Sequence, residues 1–192
     1  MIKNTNNKYG LVSIILHWLM GILFIAEIVI VLYKKNATTY GTEINSFLMK
    51  SHFVIGIILL FLIVIRLIWT FINKKPKSLS SSRFINFLSR VVHYGLYIIM
   101  IVMPFSGYMG TGADINLGLF TVPRFYNTGI FDIFIVNMMG MSWESFEPIM
   151  DNIHKKYFPP IVMLLIILHV MGVVYHSVIK RDGTLKRMIT YK

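Results

Sequence analysis

The sequence predicts an all-α integral membrane protein, a four-helix bundle with a long outer loop between its third and fourth helices. Of its 192 residues, 56% are hydrophobic and 14% are charged, and the mean hydropathy is +0.67, which is too apolar for a soluble domain of this length. Four apolar runs, residues 11–32, 53–71, 89–109 and 158–179, have the length of roughly 20 residues that a bilayer-spanning helix needs. We therefore expect residues 1–192 to form a single transmembrane domain.

The charges indicate a membrane surface rather than nucleic acid. The formal net charge is +11, but the basic residues cluster at the ends of the apolar runs. They are concentrated in residues 74–90 and 180–192, whereas the opposite side carries most of the carboxylates. The positive-inside rule therefore predicts that both termini are cytoplasmic.

The absence of cysteine narrows the chemistry further. It excludes disulfides, covalently attached c-type haem, cysteine-ligated iron–sulfur clusters and thiol catalysis. The loop over residues 110–152 is too long to be a simple connection. Its apolar segment, residues 130–141, is too short to span a bilayer. We predict that this segment is an interfacial lid over the outer face of the bundle.

The last apolar run carries histidines at its start, in its interior and near its end. On a helix of about 100° per residue, His169 lies about 60° around from His154, and His176 about 40°. An ionisable side chain in a membrane helix is costly and normally faces the bundle interior or a site. His154 and His169 are about 22 Å apart along such a helix. This separation suggests two stacked cofactors, one near each membrane surface.

Topology sorts the histidines into two pairs at two depths. The second and fourth helices both enter from the outer side, so His52 and His154 are expected near the outer surface. His17 in the first helix and His169 in the fourth are expected in the cytoplasmic half. A b-type haem iron takes two axial imidazoles from facing helices. Two such haems would let electrons cross the membrane.

The histidine pattern is also compatible with roles that do not involve haem. A single histidine in a membrane helix can simply bond a neighbouring backbone group or serine. Zinc prefers a tetrahedral set of ligands at one depth, but these histidines are split between depths and lack cysteine or carboxylate partners at ligand spacing. A transporter normally shows paired broken helices at mid-membrane, and the sequence shows none.

Five short motifs occur in order along the chain together with the histidines. They are Tyr9-Gly-Leu-Val-Ser-Ile-Ile-Leu-His17-Trp18, Lys50-Ser-His52-Phe-Val-Ile-Gly56-Ile, Val64-Ile-Arg66-Leu-Ile-Trp69, Pro104-Phe-Ser-Gly107-Tyr and Asp182-Gly-Thr-Leu185-Lys-Arg187-Met188. No single motif is specific, but taken together they resemble the bacterial cytochrome b561 family over close to the whole chain.

The resemblance implies four helices and two non-covalent b haems in a bacterial inner membrane. It places His52 and His154 on the outer haem and His17 and His169 on the inner haem, as metal ligands, and implies electron exchange with a quinone, ubiquinone or menaquinone. One departure stands out. The two ligands on the fourth helix are usually fourteen residues apart in the family, whereas here they are fifteen apart. Proline in the first helical turn removes backbone donors, so we expect Pro159-Pro160 to absorb the extra residue.

Four further polar residues have candidate roles. Arg66 lies within about 40° of the face of His52, and we expect it to bind a haem propionate or else to reach the cytoplasmic surface. His93 and His176 are expected near the cytoplasmic surface, where they would hydrogen-bond a quinone carbonyl or act as ordinary interfacial residues. His176 is also the geometric rival of His169 as inner ligand. Glu27, near a helix end, is expected to reach water rather than to relay protons.

These features favour a stand-alone cytochrome, an oxidoreductase that moves electrons between a periplasmic donor and membrane quinone. The resemblance makes superoxide the most concrete donor, and Arg124, Lys155 and Lys156 would attract a small anion. The alternative is a haem-b anchor subunit of a larger hydrogenase- or formate-dehydrogenase-like complex. The expected partners are lipid, quinone and a small or periplasmic electron donor, with no nucleic acid.

Overall fold

The computed structural model describes residues 1–190 and is mainly helical. Four helices are long and apolar enough to cross a membrane, which confirms the predicted all-α membrane architecture. The first three are α1 (Leu11–Ala37), α2 (Glu43–Ile72) and α3 (Arg83–Gly110). The fourth runs over Trp143–Lys180 without a break. It consists of α4 (Trp143–Asn152), a π-helical segment (Ile153–Tyr157), α5 (Phe158–Val174) and a second π-helical segment (Tyr175–Lys180).

Three of these helices begin well before the apolar runs that predict them. The second starts at Glu43 rather than residue 53, the third at Arg83 rather than residue 89, and the fourth at Trp143 rather than residue 158. The added turns carry charged and polar side chains, so a hydropathy profile assigns them to loops. They nevertheless remain helical beyond the hydrocarbon layer. His52, His93 and His154 therefore lie inside helices rather than at their beginnings.

The π-helical segment Ile153–Tyr157 is the predicted distortion ahead of the two prolines. Phe158 N–H donates to Ile153 C=O, five residues back. Pro159 and Pro160 follow in the first turn of α5, and neither has an N–H group to close the preceding α-helical turn. A π turn holds one residue more than an α turn. The extra residue between His154 and His169 is thus accommodated while the helix continues.

The chain divides into two compact units. The first unit contains residues 1–21, 62–100 and 160 onward, and the second contains residues 22–61 and 101–159. The organisation of residues 1–192 as one domain stays a prediction.

In the first unit, the N-terminal segment, the α2–α3 connection and the C-terminal turn are tied together by hydrogen bonds. Lys77 N–H donates to Asn6 C=O (2.8 Å), and the Arg187 guanidinium donates to Lys77 C=O (2.8 Å). The indole N–H of Trp18 donates to Met188 C=O (2.6 Å). These bonds hold the C-terminal turn against α1.

In the second unit, the connection between the third and fourth helices is an ordered substructure with its own core. Five buried side chains form an aromatic core: Met109, Phe125, Phe131, Ile135 and Phe146. Two of them come from a π helix over Phe131–Met138. On the same π helix Ile133 and Phe134 are exposed, so it has one face for the core and one apolar face outward. The exposed apolar face suits an interfacial lid, whose position over the outer face stays a prediction.

Two short strands complete the connection. Strands β1 (Ile115–Asn116) and β2 (Thr121–Val122) pair antiparallel. The Tyr108 hydroxyl at the end of α3 donates to Pro123 C=O (3.0 Å), which anchors the hairpin.

Candidate functional site

The second unit brings His52 of α2 beside His154 of the π-helical segment. Their ring centroids are 5.8 Å apart, with an angle of 59° between the ring planes. A metal–imidazole bond is about 2 Å long, so one ion held between two opposed imidazoles separates the ring centroids by roughly 6 Å. The spacing between His52 and His154 matches that separation.

Hydrogen bonding fixes the orientation of the His154 ring. Its Nδ1 lies 2.8 Å from Met103 C=O, and because a carbonyl only accepts, Nδ1 carries the proton and Nε2 has a lone pair. Gly107 makes room for the ring: a Cβ atom there would lie 2.8 Å from His154 Cε1. A metal-binding histidine normally donates its other N–H to a carbonyl or carboxylate in this way.

Glu27 of α1 gives His52 a charged partner. A carboxylate oxygen of Glu27 bonds Nδ1 of His52, while its other oxygen is buried without a hydrogen-bond partner among the described residues. Glu27 is only 9% exposed. The expectation that it reaches water is therefore wrong. The signal was present in the sequence, since a carboxylate inside an apolar run marks a site by default.

The first unit gathers three histidines. The ring of His169 lies 6.0 Å from that of His17, with the planes at 54°, and 5.2 Å from that of His93 in an edge-on contact. His17 belongs to α1, His93 to α3 and His169 to α5. His93 of α3 thus lies beside His169, and its role as a quinone-binding residue stays a prediction.

Arg66 completes this cluster. Its Nη2 lies 3.2 Å from His17 Nδ1, and its guanidinium carbon lies 5.6 Å from the centre of the Tyr97 ring. A guanidinium only donates, so His17 Nδ1 is the acceptor here and its proton is on Nε2. Binding of a metal by Nε2 would place that proton on Nδ1 and turn Arg66 towards Tyr97 or an acceptor on the cofactor.

His176 takes a different partner from the other histidines. Its Nδ1 lies 2.5 Å from an Asp182 carboxylate oxygen, and the Thr184 hydroxyl donates to the other oxygen (2.6 Å). Desolvation raises the pKa of Asp182, but the hydrogen bonds from Thr184 and His176 outweigh it and hold the pKa below the usual 3.8. The structure thus brings His169 to His17, whereas His176, in the π-helical segment Tyr175–Lys180, pairs with Asp182.

The donor set fits haem better than a small closed metal site. Within residues 1–190, no three histidine, cysteine or carboxylate side chains converge as the ligands of one ion. Each of the two pairs instead offers two imidazoles from different helices, which is the bis-histidine arrangement of b-type haem. In the second unit the hydrogen bonds to Nδ1 of His52 and His154 leave Nε2 of each ring for iron.

The comparisons with known proteins agree with this chemistry. The family described as prokaryotic cytochrome b561 matches residues 8–191. The chain is also 27% identical to cytochrome b561 homolog 2 of Escherichia coli (strain K12), over 97% of this chain and 93% of that protein. A match over nearly the full length of both chains means that the likeness concerns the whole membrane unit. This chain belongs to the prokaryotic cytochrome b561 family, and it is a membrane protein for haem-b electron transfer.

Proposed function

We propose that the chain holds two b haems and passes single electrons from a periplasmic donor to membrane quinone. His52 and His154 would ligate one iron, and His17 and His169 the other. The observation that supports this most strongly is the pair of imidazole contacts, 5.8 and 6.0 Å between centroids. Each contact joins two different helices. Isolated structural histidines would have no reason to meet in this way twice.

The protein residues supply ligation, orientation and charge. Haem, when bound, supplies the reversible one-electron chemistry. Met103 C=O fixes the orientation of the His154 ring and Glu27 that of the His52 ring, and both bonds would leave Nε2 to ligate iron. Arg66 would bind a haem propionate, since a guanidinium matches a carboxylate with two parallel donors. Its contact with the Tyr97 ring keeps the guanidinium close to His17.

In the first unit, His93 and His176 are the two candidate quinone-binding histidines. In His176 and His93, Nδ1 donates to Asp182 and to Ser89 C=O (2.6 Å). Nε2 of a neutral ring therefore has a lone pair that would accept from a quinol hydroxyl, and only the doubly protonated ring would donate to a quinone carbonyl. The Asp182 carboxylate beside His176 offers a route for protons to a reduced quinone. The positive-inside rule supports a cytoplasmic position for both termini.

Superoxide is the donor that we propose. Two superoxide anions lose one electron each and leave as dioxygen, while one quinone takes up two electrons and two protons to become quinol. The cations of the outer loop support an anionic donor only weakly. Arg124 pairs with Asp114 (3.3 Å), and Lys155 pairs with Asp151, so Lys156 contributes most of the attraction.

The test begins with the optical spectrum and haem count of the purified chain in detergent. Two b haems per chain are expected, and one fewer after each single alanine substitution of His17, His52, His154 or His169. A His176→Ala protein that keeps both haems is the matched control. An unchanged count in the His154→Ala protein would contradict the ligand assignment.

The donor and acceptor are then tested by superoxide-driven reduction of a soluble quinone. The anchor-subunit alternative predicts that the isolated chain binds haem but does not reduce quinone until a catalytic partner subunit is added. Reduction by the isolated chain therefore separates the two functions.

A further inference from the structure

We propose that Glu27 and Arg66 set the order of the two haem midpoint potentials. The His52–His154 iron would have the lower potential and the His17–His169 iron the higher one. Electrons would then run downhill from the first of these sites to the second. The inference rests on the proposed two-haem function and adds the direction of electron transfer between the haems. Its basis is that each site has one buried or half-buried charge beside a candidate ligand ring, Glu27 at one and Arg66 at the other. Both haems would bring the same propionates, so a propionate bound by Arg66 leaves the sign of the difference between the sites unchanged.

At the His52–His154 site the charge is negative. Glu27 is the only acidic residue in the apolar run of residues 11–32, it is buried, and it bonds Nδ1 of His52. A carboxylate that accepts this proton makes the imidazole a stronger donor to iron. A more basic ligand and a nearby negative charge both stabilise the ferric state, so the midpoint potential falls.

The neighbouring charges at this site do not reverse that effect. His154 is bonded to the neutral Met103 carbonyl. The charged side chains nearest to it in sequence are Asp151 and Lys155, which pair with each other, and Lys156, whose ammonium lies 5.6 Å from the centre of the Tyr157 ring. Of the charges at this site only Glu27 bonds a candidate ligand ring, and we expect it to dominate the potential of the His52–His154 iron.

At the His17–His169 site the charge is positive. The Arg66 guanidinium, a cation, lies 3.2 Å from His17 Nδ1. If ligation places a proton on Nδ1, the nearby Tyr97 ring, 5.6 Å from the guanidinium carbon, would keep this cation in the same cluster. A positive neighbour disfavours the ferric form, which carries one more positive charge than the ferrous form. The midpoint potential of this iron is therefore raised.

The expected effect is large enough to measure. A unit charge at this range in a protein environment changes the reduction equilibrium constant by about tenfold or more. A tenfold change is about 59 mV for a one-electron couple. Removing either charge should therefore narrow the gap between the two midpoints by at least about that amount.

The test is a potentiometric titration of the two-haem protein followed by optical and electron paramagnetic resonance spectroscopy. Single-haem proteins assign the midpoints: the His17→Ala protein should keep the lower one and the His154→Ala protein the higher one. Glu27→Gln should raise only the lower midpoint, and Arg66→Gln should lower only the higher one. Glu144→Gln, which removes an exposed carboxylate of the same sign, is the control and should shift neither.

The inference is overturned if the single-haem proteins show the opposite order, or if Glu27→Gln leaves the lower midpoint within the range of the control. Where Glu27→Gln loses haem, Glu27→Asp, which keeps the charge, should retain the lower midpoint. If the lower midpoint potential rises in the Glu27→Asp protein although the charge is kept, the role of Glu27 is contradicted. A wild-type chain with fewer than two haems would refute the proposed function itself, whereas two haems with unresponsive midpoints would refute only the potential order.

Discussion

Gly107 in α3 gives the sharpest test of the His154 assignment. In the Gly107→Ala protein, the new methyl group would lie 2.8 Å from His154 Cε1 and 3.0 Å from Nδ1. Favourable contacts between carbon atoms begin at about 3.5 Å, so the ring must move by about 0.7 Å. That movement stretches the 2.8 Å bond from His154 Nδ1 to Met103 C=O to about 3.5 Å, where it no longer counts as a hydrogen bond.

Overpacking of this kind typically costs about 1–3 kcal/mol. Since the strain falls on one ligand, haem affinity at the His52–His154 site should drop by about 5- to 150-fold. The measurement is the haem count per chain, with the electron paramagnetic resonance spectrum of the remaining haem. One haem should be depleted and the other unaffected.

Gly172→Ala is the matched control for this substitution. Within the described residues, no atom other than neighbours along the helix lies within 4 Å of a Cβ at Gly172. Both substitutions gain the same helix propensity, about 1 kcal/mol, so the difference between them isolates the contact with the ring. Two haems with unaltered spectra in the Gly107→Ala protein would refute the placement of His154 as a ligand.

Three further outcomes are expected. His169→Ala should lose one haem whereas His176→Ala keeps both, because only His169 lies beside His17; equal counts in a haemochrome assay would argue against that distinction. Phe146→Ala, in the buried core between α3 and the fourth helix, should lower stability by about 3–5 kcal/mol, and an unchanged thermal midpoint in detergent would show that this core does not stabilise the fold. Because the folded pKa of Asp182 is lowered, its stabilising contribution should be complete above about pH 4 and lost as the pH falls through the folded value. The thermal midpoints of wild type and Asp182→Asn should therefore differ at neutral pH and converge in acid, and a constant difference would contradict this reasoning.

Hydropathy located the four crossings but not the ends of their helices. A bilayer selects apolar residues only across its hydrocarbon layer, so the polar turns that begin at Glu43, Arg83 and Trp143 were assigned to loops. The sequence also did not reveal that His93 lies beside His169, because that contact depends on how α3 and α5 pack. The burial of Glu27 was missed for a related reason, since nearness to a predicted helix end was taken as exposure to water.

The sequence by itself determined that the chain is a membrane protein and that its histidines lie in apolar helices, because the length and composition of a run decide locally whether it can cross hydrocarbon. Topology also predicted the two imidazole pairs, and in the structure the ring centroids of each pair lie within 6.0 Å of each other. Only the tertiary structure decided that His169 rather than His176 faces His17, and that Glu27 and Arg66 each reach a histidine ring. These contacts depend on how helices distant in sequence rotate and slide against one another. A one-residue change in register, such as the one taken up by the π turn before Phe158, rotates a helix by about 100° and would bring other side chains together.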